Sequence, residues 1–115
     1  PSRGLGDVYK RQQMTVLKRL NINKFTSEAD NDAFIEELKQ MWLAWNETSI
    51  ATKISVDINK DRNDPTRMTA FVTASDDDAI IAMNKWSKNV VIPVRDKYQH
   101  ENIMIDAELV ASVSK

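Results

Sequence analysis

Residues 49–73 read SIATKISVDINKDRNDPTRMTAFVT, and their alternation decides the fold. Ile50, Ile54, Val56 and Ile58 fall on one side of an extended chain and Lys53, Ser55 and Asp57 on the other, the two-residue period of a strand. The polar run NKDRNDP that follows is a turn, and Pro65 cannot donate to the ladder of a central strand. Met68, Ala70 and Val72 then alternate against Arg67, Thr69, Phe71 and Thr73. Two such strands joined by a short polar loop make a β-hairpin.

A helical pattern flanks the hairpin on each side. Before it, Ser27 is placed to cap a helix, with Asp30 three residues on in the capping-box position. Phe34, Leu38, Met41, Trp42 and Trp45 recur at spacings of three and four, a single buried stripe, and Glu36, Glu37, Lys39 and Gln40 take the wet side. After the hairpin, Ser75 is the expected cap, with Asp76, Asp77 and Asp78 set against the positive end of the helix dipole. Ile80, Met83, Trp86 or Ser87, and Val90 continue the apolar stripe until Pro93, which is expected to break the helix and leave a short segment from Val94 to Tyr98.

Strands lie outermost. VLKRLNINKF (16–25) puts Val16, Leu20 and Ile22 on one face and Leu17, Arg19, Asn21 and Asn23 on the other; in ENIMIDAELVASV (101–113), Ile103, Ile105, Ala107, Leu109 and Val113 are expected inward. The order is strand, helix, strand, strand, helix, strand. That order fits an α+β, ferredoxin-like βαββαβ fold, in which right-handed crossovers put both helices on one face of a four-stranded antiparallel sheet.

The other face is then open. It is expected to carry Leu17, Arg19, Asn21, Lys53, Asp57, Arg67, Thr69, Phe71, Met104, Asp106, Glu108 and Val110, too mixed for plain solvation or for a dry core. Such a face usually meets a partner, most often a second copy about a two-fold axis. Leu17, Phe71, Met104 and Val110 are its candidate dimer contacts.

The first twelve residues, PSRGLGDVYKRQ, hold both glycines of the chain and follow neither period. Asp7 to Gln12 back-translates as GAT GTG TAT AAG AGA CAG, which resembles the mosaic-end adaptor of transposase-based sequencing libraries. Residues 1–13 are therefore expected to be a non-native tag without order, with a single domain over 14–115. Removing Arg3, Lys10 and Arg11 from sixteen basic residues leaves thirteen, and removing Asp7 from seventeen acidic ones leaves sixteen, a net charge of −3. That sign argues against a phosphate-rich partner. RNA binding on such a sheet would also need aromatic platforms on both central strands, and only Phe71 is in place.

With 42% hydrophobic residues the chain can build a core. No apolar run approaches the roughly 20 residues that span a bilayer, and no secretory segment follows the tag, so a cytoplasmic protein away from membranes is expected. Zero cysteines exclude disulfides and thiolate metal sites. Asp57, Asn59, Asp61 and Asn63 imitate calcium-loop spacing, but Arg62 stands where the sharp turn needs Gly and Met68 where the bidentate Glu belongs, so they read as a solvated turn and no metal is expected. Nucleophilic catalysis lacks a Cys, a Ser paired with a His, and a G-x-S-x-G elbow.

The stretch from Ser75 to Tyr98, with Trp86 followed by SKNVVIPVRDKY before a last strand, resembles the dimeric α+β barrel superfamily, which includes the antibiotic-biosynthesis monooxygenases and the stress-responsive barrel proteins. The resemblance spans residues 14–115 as a pattern. It implies a homodimer closed sheet to sheet, with a cleft between helices and sheet in each protomer. In cofactor-independent monooxygenases and haem-degrading relatives that cleft uses a first-strand Asn and a second-helix Trp; Asn21 or Asn23, and Trp86, match those positions. The histidine that follows the Trp in the haem relatives has no counterpart, since the single histidine is His100, so no cofactor is expected.

Arg95 and Tyr98 lie where a segment could cover the cleft, and His100 is a candidate acid or base, histidine being the side chain whose ordinary value is nearest neutrality. Two functions follow. One is binding of a small aromatic or lipophilic molecule near Trp86 in a sizeable apolar cavity, with cofactor-independent monooxygenation as its enzymatic form. The other is a non-catalytic interaction or regulatory module that uses the open sheet face.

Overall fold

The structure, a computed structural model, describes residues 16–47 and 53–115. Residues 1–13 and Ile50 lie outside the described residues. The elements are β1 (Leu17–Phe25), α1 (Glu28–Ala44), β2 (Ile54–Lys60), β3 (Arg67–Ala74), α2 (Asp77–Trp86), a π-helical turn (Ser87–Val91), α3 (Ile92–Arg95) and β4 (His100–Glu108). The sheet is antiparallel in the order β2-β3-β1-β4. The strand–helix–strand–strand–helix–strand order is as the sequence predicts.

Ser27 caps α1, its hydroxyl accepting from the Asp30 amide at 3.1 Å. Asp30 does not close the box: its carboxylate takes the Thr26 hydroxyl instead. Phe34 and Leu38 are buried, Met41 and Trp42 half-buried, and Trp45 forms the C-cap. Glu37, expected in solvent, is half-buried because it meets Tyr98 and Lys97. Phe25, Phe34, Leu38, Met68 and Ala70 form the core, between α1 and the sheet.

At α2 the cap is Asp76, whose carboxylate accepts from the Ala79 amide at 3.1 Å, not Ser75. Lys53 reaches the other Asp76 oxygen at 3.0 Å, which a serine at this place could not exploit. The helix also does not break at Pro93. It widens into the π turn, with the Ile92 N–H donating to the Ser87 carbonyl five residues back, and Pro93 sits in the first turn of α3. Proline has no N–H to donate and its ring collides with the carbonyl four residues earlier. A wider turn moves that carbonyl aside, so the axis continues.

The main departure is which face β1 and β4 present. Asn21 pairs with Ala70 and Asn23 with Met68, and paired residues share a face. Ala70 and Met68 are buried under the helices, so Leu17, Arg19, Asn21, Asn23 and Phe25 share the covered face, and Leu20 and Ile22 the open one. On β4 the same registry sends Met104, Asp106 and Glu108 to the covered side, and Ile103, Ile105 and Ala107 to the open side. Leu17 and Met104 are thus not on the open face. Phe71 is there, 49% exposed. Val110 and Val113 lie past the end of β4, both exposed, although the Leu109 N–H still bonds the Val16 carbonyl.

The polar hairpin turn accounts for its own carboxylates. Asp61 accepts from the Asn63 and Asp64 amides at 2.7 and 2.9 Å and from Arg67 Nε at 2.9 Å. Asp57 faces the open side opposite Phe71. The calcium-like spacing therefore places its oxygens in different directions.

Candidate functional site

Beneath the helices, three polar residues of β1 face β4. Arg19 binds Asp106 in bidentate fashion, Nε to Oδ1 at 2.7 Å and Nη2 to Oδ2 at 3.0 Å, and its Nη1 donates to Asn84 Oδ1 of α2 at 2.7 Å. That fork fixes α2 against β1 and β4 and holds the Asp106 carboxyl below its usual range, the Arg19 bond being the chief cause. Asn102 donates to the side-chain oxygens of Asn21 and Asn23 and to the Ile22 carbonyl. With both oxygens turned to Asn102, the amide nitrogens point elsewhere: that of Asn23 meets Met68 Sδ at 3.4 Å.

Arg19, Asn21 and Asn23 line a cavity of about 50 Å³ between sheet and helices, with Trp42, Trp86, Ser87 and Arg95 facing them across Leu38, Val72, Met83 and Val91. It is much smaller than expected, and polar on one wall. The π turn supplies two of its lining residues, Ser87 and Val91. No Asp, Glu or His is among those lining residues.

Trp86 stacks on Trp45 with ring centres 4.8 Å apart and meets the Trp42 edge at 4.7 Å. Its second side borders an open groove of about 490 Å³ with Trp45, Glu47, Lys85, Asn89 and Val90. Trp86 is thus the wall shared by an inner chamber and an outer groove.

The sequence candidates divide between two places. Asn21, Asn23, Trp86 and Arg95 meet at the chamber. Tyr98 and His100 do not: Tyr98 packs edge-on to Phe25 and Phe34 and donates its hydroxyl to the Glu37 carboxylate. That bond, then burial, pushes the phenol above its ordinary value. His100 Nδ1 bonds the Tyr98 carbonyl at 2.8 Å, and the ring borders a separate groove with Lys24, Thr26, Thr66 and Gln99. Sequence reasoning missed Arg19, Asn84, Asn102 and Asp106. The available signal was Phe25, which a core needs and which shares its strand parity with Arg19, Asn21 and Asn23.

No family model matches the sequence, and no curated protein matches it. Solved structures do share the fold. A dimeric ferredoxin-like protein from an uncultured marine organism superposes with a TM-score of 0.71 at 13% identity, covering 86% of this chain and 99% of its own. A second protein of that description, also from an uncultured marine organism, gives 0.71 at 13% identity over 93% and 98%. A Bordetella bronchiseptica protein described as a candidate antibiotic biosynthesis monooxygenase gives 0.51 at 14% identity over 84% and 99%. The fold is therefore ferredoxin-like, as the order of strands and helices in the sequence predicts. Among the described residues no helix is long and apolar enough to cross a membrane.

Proposed function

We propose that the chain forms a homodimer through its open sheet face and that each protomer takes a small, aromatic or lipophilic molecule in the cleft beside Trp86. The observation that carries this reading is the chamber itself. A core built only for stability buries few polar groups beside a void, yet here Arg95, Asn21 and Asn23 all border one. The chamber is too small for a ring system. The body of the ligand lies against Trp45 and Trp86 in the outer groove, and its head enters past a displaced Trp86.

Cofactor-independent oxygenation is the enzymatic form of this reading, supported by the fold shared with the Bordetella protein. Among the described residues the lining holds no Asp, Glu or His, and in this reading a proton taken from a substrate passes to water. The same feature favours a second reading, a non-catalytic module of the same dimeric fold.

A panel of hydroquinones and hydroxynaphthalenes, followed by tryptophan fluorescence and an oxygen electrode, tests the site. Saturable quenching that is lost in Trp86→Ala is expected. Oxygen uptake with quenching marks the oxygenase, quenching alone the binding module, and no quenching by any member rejects the cleft.

A further inference from the structure

Arg19 and Arg95 both border the chamber, and only one of them is satisfied. Arg19 spends three donors on Asp106 and Asn84. The side chain of Arg95, at the end of α3 and 14% exposed, makes no hydrogen bond among the described residues, and its Nε is fully buried. The nearest carboxylate oxygen, Asp96 Oδ1, is 4.0 Å from Nε, beyond hydrogen-bond reach. Asp96 is itself mostly exposed, and the same oxygen stands 3.8 Å from His100 Nε2.

A guanidinium keeps its charge in proteins, and here the buried Nε carries part of it away from water. Folded proteins pair such charges. Among the described residues no anionic side chain lines the chamber. On the facing wall, the Asn21 side-chain oxygen is taken by Asn102, and its amide nitrogen is a second donor with no hydrogen bond among the described residues. Donors without acceptors, enclosed by Trp42, Trp86 and aliphatic walls, define a site for an acceptor carrying one negative charge.

Size narrows the class. About 50 Å³ exceeds the roughly 10–15 Å³ that one water occupies by this measure and falls well short of the roughly 150 Å³ that admits benzene. A carboxylate fits, and its two oxygens match the fork of a guanidinium. A phosphate dianion would bring two charges to one uncompensated cation.

We propose that the cleft recognises a carboxylic acid, its carboxylate held by Arg95 with Asn21 as second donor. This rests on the cleft being a ligand site. The test uses the full chain with propionate, propionamide, phosphate and hydroquinone as probes. The readouts are the Arg95 Nε–H cross-peak in ¹H–¹⁵N NMR and tryptophan fluorescence.

Propionate is expected to move the Arg95 cross-peak saturably, with propionamide and phosphate at least tenfold weaker. Arg95→Met is expected to weaken propionate at least tenfold while raising the melting temperature, since it removes an unpaired buried charge. Should that variant not fold, Arg95→Gln is read in its place. Equal binding of acid and amide, tighter binding of phosphate, or unchanged propionate affinity in the neutral variants overturns the proposal. If hydroquinone quenches tryptophan and no carboxylate moves the cross-peak, the acid class falls and the cleft stands. If no probe acts at either readout, both fall.

Discussion

On the covered face of the sheet, Asp106 is the carboxyl expected to respond to acid, because Arg19 holds it below its usual range. Its carboxyl is held low by Arg19, that of Asp76 by Lys53, that of Asp64 by Lys24, and that of Asp61 first by the Asn63 amide. A carboxyl that is more acidic when folded adds stability in full above its unfolded value, about 4, and loses it as pH falls through the lower folded value. The urea midpoint should stay level from about pH 7 to 5 and decline below about 4. Asp106→Asn should cost about 1 kcal/mol at neutral pH, the modest worth of a half-exposed pair, and flatten the acid limb; an unchanged limb would remove Asp106 from this role. Arg19 and its strand neighbours also mark the limit of reading by pattern. Alternation tells which residues share a face, not which face is covered. Arg19, Asn21 and Asn23 look solvated because hydropathy takes each residue alone, whereas their partners, Asp106 and Asn102, arrive from a strand about eighty positions later. Phe25 carried the right parity, outvoted by three polar neighbours.

The helices were more legible as elements than at their ends. Their stripes at three and four residues and the caps' chemistry were local and therefore visible, as Ser27 shows. The choice between Ser75 and Asp76 was not local, because Lys53 of the hairpin decides it. Asp76→Ala should lower stability by about 1 kcal/mol, and Ser75→Ala by less than about 0.5 kcal/mol, as read from urea midpoints; equal losses would return the cap to Ser75. The π turn follows from Pro93 by a chain of cause that sequence alone does not choose, since a break and a widened turn both relieve the same clash. What the widened turn positions is part of the chamber. It brings Ser87 and Val91 to the chamber wall and sets Arg95 at its rim. The candidate site was thus half legible: Arg95 from its segment, Trp86, Asn21 and Asn23 from a resemblance, and none of the network that orients them.

In the whole molecule, the registry arranges the open face in rows across four strands. Ile105, Leu20, Phe71 and Asp57 form one, and Ile103, Ile22, Thr69 and Asn59 the next. The apolar side chains gather toward β4 and the polar ones toward β2, so the face is more ordered than the sequence reading made it. A groove of about 410 Å³ runs through the first row, bordered by Lys18 as well. In the proposed homodimer, two copies related by a two-fold axis would bury this patch against itself, so that each substitution acts twice. Phe71→Asp sets two carboxylates in the centre of that contact and should weaken the dimer by roughly a hundredfold, each tenfold being about 1.4 kcal/mol. Met104→Asp, on the other side of the sheet, should leave the mass by light scattering unchanged. Because the chamber is enclosed by one protomer's own helices and sheet, Phe71→Asp should also leave the Trp86 response to ligand intact. Loss of both together would instead make the dimer a condition for the cleft, with the partner's sheet holding β1 and its asparagines in register.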